Sequence, residues 1–213
     1  MEILQSISSN LEGGDDAAVA RLTREALAEG VAAKTILDDG LISGMNVVGE
    51  KFRVHDIFLP DVLLAARAMY AGMDILKPLL ISAGVASRGR VVIGSVQGDL
   101  HDIGKNLVGI MLKGAGFEVI DLGNDVAAEK FVAEAKNQEA RVIGMSALLT
   151  TTMPVMQEVV ELLKKENLRG RIKTIIGGAP VSQDYAAEIG ADAYGYDCAQ
   201  AVESVKKLAA AAG

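Results

Sequence analysis

Apolar residues recur at three- and four-residue spacing from Asp15 to Glu29, from Ala32 to Phe52 and from Leu59 to about Leu80, and no stretch before Ser87 alternates with the two-residue period of a half-buried strand. Helices are predicted there, punctuated by Gly13-Gly14, Gly30, the stretch His55 to Pro60, and Gly84. Asp15 is placed to cap a helix, and Pro60 suits the first turn of the last one, where its missing amide proton is not needed. Residues 1–87 therefore read as an all-α four-helix bundle.

The pattern changes after Arg88-Gly89-Arg90. Short apolar runs (Val91 to Val96, Phe117 to Leu122, Arg141 to Ser146, Ile172 to Ile176, Ala193 to Tyr196) alternate with amphipathic stretches near Ile103 to Gly114, Ala127 to Asn137, Met153 to Asn167, Ser182 to Ile189 and Cys198 to Ala212. Parallel neighbours need crossover connections, so this alternation predicts a doubly wound parallel sheet over residues 88–213. The expected form is α/β, flavodoxin-like (Rossmann-like), with five strands. Ala83 to Gly89 is a short junction of small and basic residues that joins the two domains.

Composition narrows the function. Half of the 213 residues are hydrophobic but only 4% are aromatic, so aliphatic side chains and Ala fill the cores. The net charge is -7 and the basic residues are scattered, which leaves no footprint for nucleic acid or an anionic membrane. The single cysteine, Cys198, excludes an internal disulfide and a paired-thiol zinc or redox site. With no basic, then apolar, leader and no run long enough to span a bilayer, a cytoplasmic location is expected.

The candidate chemistry lies where the first strand of the sheet hands over to a helix, at Gly98-Asp99-Leu100-His101-Asp102-Ile103-Gly104. Glycines let a backbone approach a large ligand, an acid two residues before a histidine can hold one ring nitrogen, and Asp102 is placed to cap the next helix. His101 is read as a metal ligand. In a flavodoxin-like order the exits of the first and third strands are neighbours at the switch point. Ser146 to Thr152 and Gly177-Gly178-Ala179-Pro180 therefore converge on the same sheet edge. The groove is glycine-rich, weakly charged and flanked by hydroxyls, and no GxxxxGKS or GxGxxG cradle follows any strand. It suits a large, mostly apolar cofactor. For Asp121 and Asp125, after the second strand, the sequence leaves ribose recognition and turn-making equally open, while Cys198 at a helix start reads as packing.

Asp99 to Gly104 fits the DxHxxG motif of cobalamin-binding domains, and Ser146-Ala147-Leu148 and Gly177-Gly178 fit the two later motifs in order. Gly98 to Val108, GDLHDIGKNLV, resembles the corrinoid domain of methionine synthase and of corrinoid methyltransferase proteins. Gly44 to Gly49 and Phe58 to Val62 resemble their helical cap, so the likeness covers nearly the whole chain.

That resemblance implies a cobalamin or other corrinoid cofactor with its benzimidazole displaced and its tail buried in the α/β domain. His101 would be the lower axial ligand of cobalt, Asp99 would hold its other nitrogen, and Ser146 would complete a relay. Gly98, Leu100, Asp102, Ile103, Gly104, Leu148, Thr150, Gly177, Gly178 and Ala179 would line the cofactor's path. Phe58, Val62 and Met69, with Leu59, would cover the upper face, and the 83–89 junction would hinge as that cover moves.

No folate, homocysteine or reactivation domain fits within this length, and no residue is assigned a catalytic role. The resemblance thus implies a methyl carrier between a substrate-specific methyltransferase and an acceptor methyltransferase, served by a reductive activation protein. Tetrahydrofolate or a thiol would be the acceptor. A cobalamin-dependent sensor would need a DNA-binding head, and a mutase subunit would lack the helical half.

Overall fold

The computed structural model describes residues 2–83 and 87–211. The chain divides into two compact units: Met1–Ser87 with Gly114–Gly116, and Arg88–Lys113 with Phe117–Gly213. Within the junction read at Ala83 to Gly89, residues 84–86 lie outside the described residues, as does Ala212, where the last helix was expected to end.

The first unit is helical, as its three- and four-residue periodicity predicts. It comprises α1 (Glu2–Glu12), α2 (Asp16–Ala28), α3 (Ala33–Thr35), a π-helical segment (Ile36–Ile42), α4 (Ser43–Arg53) and α5 (Leu59–Ser82). Asp15 caps α2, its Oδ1 accepting the Ala18 N–H at 2.9 Å. Pro60 lies in the first turn of α5, where Asp61 Oδ2 takes the Phe58 N–H at 2.8 Å. The helices bury Ile7, Leu11, Ile36, Leu41 and Leu76 completely.

Periodicity predicts one uninterrupted helix from Ala32 to Phe52. The structure runs α3, the π-helical segment and α4 end to end over residues 33–53, with the wide turns at Ile36–Ile42. Gly40, inside them, lies against Ile7, where an added Cβ would sit 3.2 Å from a methyl carbon.

In the second unit β1 (Arg90–Ser95), α6 (Ile103–Gly114), β2 (Glu118–Asp121), α7 (Ala128–Asn137), β3 (Val142–Ser146), α8 (Pro154–Lys165), β4 (Lys173–Gly177), α9 (Gln183–Ile189), β5 (Ala193–Gly195) and α10 (Cys198–Ala211) alternate. All pairings are parallel and the order is β2-β1-β3-β4-β5. This is the flavodoxin-like arrangement read from the pattern. One core cluster gathers Phe131, Ile143, Met156, Val160, Leu163 and Ile176.

Local chemistry sets the helix ends. Pro154 opens α8, Ser182 Oγ accepts the Tyr185 N–H at the start of α9, and Gly190 closes α9 at φ 75° in the left-handed region. Beyond the named strands, Val96 and Val126 form an isolated parallel bridge. The exits of β1 and β2 are therefore tied together before each chain segment leaves the sheet. Among the described residues no helix is long and apolar enough to cross a membrane.

Candidate functional site

Because every strand is parallel, the exits of β1, β3 and β4 leave from one edge, and β1 and β3 are adjacent there. Gly98, at φ 83°, and the Asp99 N–H, bonded to the Val96 carbonyl at 3.0 Å, turn the chain sharply after β1. The turn drives the Asp99 side chain out of solvent altogether.

There its carboxylate meets only donors. Oδ1 accepts the His101 N–H at 3.0 Å and lies 2.8 Å from His101 Nδ1, while Oδ2 accepts the Leu148 N–H at 2.6 Å, the Leu149 N–H at 3.2 Å and the Thr152 hydroxyl at 3.1 Å. Burial alone would raise the pKa of this carboxyl. The Leu148 amide, the His101 amide and imidazole, and the Leu149 amide outweigh it and hold the group well below the usual carboxylate range.

An ionised Asp99 fixes the histidine tautomer. Nδ1 carries the proton and donates it, so Nε2 keeps a lone pair. The His101 side chain is 53% exposed, and its carbonyl is pinned by the Ser95 hydroxyl at 2.6 Å. The sheet thus presents one oriented imidazole nitrogen outward.

The structure joins Asp99, His101 and Leu148 directly, but it changes the relay expected from the resemblance. The hydroxyl on Asp99 belongs to Thr152, and no hydrogen bond runs from the Ser146 side chain to Asp99 or His101. Ser146 ends β3, where its carbonyl receives the Val96 N–H at 3.0 Å. Within the Thr150-Thr151-Thr152 run only Thr152 is buried, a distinction that three identical residues in a row do not reveal.

Asp102 precedes α6 as expected. It takes the Asn106 N–H through its backbone carbonyl at 2.8 Å. Leu100 and Ile103 are 70% and 74% exposed, and Leu148 and Leu149 are also open. These apolar side chains flank the imidazole without being packed away. Gly104 has no atom within 4 Å of where a Cβ would be, which leaves space beside the histidine loop.

At the β4 exit a Cβ on Gly178, whose φ is 127°, would fall 1.8 Å from the Ala147 carbonyl oxygen, and one on Gly177 would fall 3.1 Å from the Gly195 carbonyl oxygen. Ala179 and Thr150 are exposed on the same side. In the helical unit Phe58 is open, whereas Val62 and Met69 are buried. The helical spacing of those two residues places them in the core, so they offer almost no surface as a cover.

Sequence reasoning missed Lys105. Its Nζ lies 2.6 Å from both Asp121 oxygens and 2.7 Å from Asn106 Oδ1, and the residue is buried. A lysine in register with Gly109 and Leu112 on the buried side of α6 was the available signal. Cys198 is buried, and that burial pushes its thiol up, which agrees with a packing role.

Among the described residues no group of three or more His, Cys, Asp and Glu side chains could hold a metal ion. A metal taken by His101 must bring its remaining ligands with it. Residues 89–204 match a B12 binding domain model, and residues 3–77 match a second B12 binding domain model. The chain belongs to the B12-binding corrinoid proteins.

Two curated corrinoid proteins show how near the likeness is. The chain is 44% identical over 207 residues to trimethylamine corrinoid protein 1 of Methanosarcina mazei, covering 96% of each. It is 49% identical over 176 residues to dimethylamine corrinoid protein 1 of Methanosarcina acetivorans, covering 82% of this chain and 83% of that one. The crystal structure of the methanol:cobalamin methyltransferase complex MtaBC from Methanosarcina barkeri matches with a TM-score of 0.86 at 32% identity, covering 98% of this chain and 80% of that one.

The residues of this corrinoid protein fit such a cofactor. A macrocycle would supply the metal ligands not found among the described residues, and the apolar rim of Leu100, Ile103, Leu148 and Leu149 suits a large flat group. Gly104 keeps a side chain out of the space beside the histidine loop, while Gly177 and Gly178 let the β4 exit pass close to the backbone at Gly195 and Ala147.

Proposed function

We propose that this corrinoid protein is a methyl carrier, with His101 Nε2 as the lower axial ligand of a cobalamin-type cofactor. In this reading Gly98 to Gly104, Leu148, Thr150 and Gly177 to Ala179 surround the cofactor. Bound there, the corrinoid supplies a reducible cobalt that accepts and releases a methyl group.

The chain's own groups bind and orient. Asp99 fixes the imidazole tautomer, its backbone donors keep the carboxylate ionised, and the apolar rim excludes water from the ring's surroundings. No residue of this chain performs the transfer chemistry. A substrate-specific methyltransferase delivers the methyl group, a second methyltransferase passes it to an acceptor such as tetrahydrofolate or a thiol, and a reductive activation protein restores oxidised cobalt. The relatives named for trimethylamine and dimethylamine, and the methanol complex, support methylamines and methanol as the donor class.

The observation that carries this reading is the His101 Nδ1 to Asp99 Oδ1 contact of 2.8 Å, which leaves Nε2 as the open metal-binding nitrogen. The test uses the chain reconstituted with hydroxocobalamin, reduced, and incubated in cell extract with isotope-labelled trimethylamine, dimethylamine or methanol. Label from one of these donors stays with the protein through gel filtration. Full cofactor loading with no label taken up from any of them would refute the carrier role.

A further inference from the structure

We infer that Asp125, in the loop between β2 and α7, is a positioning residue for His101, acting through Asp99. The inference rests on the axial role proposed for His101 and adds the device that holds it in place. Asp125 Oδ1 accepts the Gly98 N–H at 2.8 Å, and the Asp125 N–H donates to the Asp99 carbonyl at 3.1 Å. One residue therefore grips two consecutive residues of the histidine loop from both sides of its backbone.

The grip is anchored in the sheet. Val126, the next residue, donates its N–H to the Ser95 carbonyl at 3.0 Å and pairs with Val96 in the bridge beyond β1. A continuous path of hydrogen bonds thus leads from β1 through Val126 and Asp125 to the Gly98-Asp99 turn, and from Asp99 to the imidazole. Asn124 adds a longer contact from Nδ2 to the Leu100 carbonyl at 3.4 Å.

Asp125 holds this position with φ at 54°, in the left-handed region. A glycine would occupy it without strain, but it would offer no acceptor to Gly98. Aspartate supplies the acceptor and tolerates the backbone. The same geometry decides between the two roles left open for Asp121 and Asp125: the Asp121 carboxylate is engaged by Lys105 and the Gly123 N–H, and that of Asp125 by Gly98. Both acids hold loops. Asp125 is exposed and acts on the ring only through Asp99.

Two variants separate the acceptor from the backbone shape. Asp125→Gly keeps the left-handed conformation and removes the acceptor, whereas Asp125→Asn keeps both. In the cofactor-free chain, nitrogen NMR of the imidazole reports whether Nδ1 of His101 stays bonded to Asp99, and amide exchange reports on Gly98. The two histidines are assigned with a His55→Gln variant. The wild type and Asp125→Asn give the same His101 signature with a protected Gly98 amide. Asp125→Gly exposes that amide and shifts the imidazole toward a free tautomer mixture.

An Asp125→Gly protein with wild-type imidazole signals and wild-type Gly98 exchange would overturn the inference. So would an Asp125→Asn protein that loses them despite its acceptor. In the reconstituted cobalt(II) form, Asp125→Gly lowers the ratio of histidine-ligated to unligated cobalt about three-fold, the scale of one lost hydrogen bond. Failure of the wild type itself to show histidine nitrogen on cobalt would strike the axial reading. The cofactor-free comparison would still decide whether Asp125 sets the ring.

Discussion

His101 Nδ1 and Asp99 Oδ1 are 2.8 Å apart, and the other oxygen of the same buried carboxylate is taken up by Leu148, Leu149 and Thr152 from the neighbouring strand's exit. A contact two residues apart in sequence is therefore held in place by residues about fifty positions away. The histidine is oriented by the sheet, because the loops of β1 and β3 share one carboxylate.

Replacing that carboxylate tests the arrangement. Asp99→Asn presents an amide nitrogen to donors on one side or the other, so at least one buried N–H loses its acceptor. The variant loses about 2–3 kcal/mol of folding stability, the scale of a buried charge-assisted hydrogen bond. Urea unfolding of the cofactor-free chain measures this, and a loss within error of zero would contradict the geometry.

Acid should weaken the fold through the same group. The folded-state pKa of Asp99 lies below its unfolded value, so over that interval the unfolded chain binds more protons and stability rises with pH. Its contribution is complete above the ordinary carboxylate value, about 3.9, and is lost as pH falls from there through the folded value. Stability against pH for the wild type and Asp99→Asn should converge on acidification. Parallel curves would show that Asp99 is not held ionised by its donors.

Gly178→Ala should disrupt the β4 exit. An added Cβ would lie 1.8 Å from the Ala147 carbonyl oxygen in a backbone conformation that alanine avoids. The expected loss is about 3 kcal/mol. Gly170→Ala is the control, since nothing lies within 4 Å of its Cβ position and its φ is ordinary, and it leaves the urea midpoint unchanged.

In the helical unit Thr23 is fully buried, and its hydroxyl has no hydrogen-bond partner. Valine matches the shape without the unpaired polar atom. Thr23→Val raises stability by about 1 kcal/mol. A decrease on thermal or urea unfolding would mean that the hydroxyl is satisfied in solution.

Patterns confined to neighbouring residues carried most of the fold into view. The two periodicities separate the helical residues from the α/β ones, and the parallel pairing of the strands follows from obligatory crossovers. The histidine loop was legible because its glycines, acid and imidazole are consecutive. Thr152 was not, because its selection from a run of threonines depends on which hydroxyl the β3 exit turns toward Asp99. Val62 and Met69, read as cover, are buried, because helical spacing marks a buried face equally well as core or as cover. Lys105 and Asp125 were invisible as a pair of clasps because both act across the β1 and β2 exits, a contact created only when the strands pair.

The central claim concerns one atom, and electron paramagnetic resonance reads it directly. The chain is labelled at histidine with the spin-one-half isotope of nitrogen, loaded with unlabelled cobalamin and reduced to cobalt(II). The account predicts that labelling changes each superhyperfine triplet into a doublet and that His101→Ala abolishes the doublet. A triplet untouched by the label, which places the cofactor's own benzimidazole on cobalt, would contradict it.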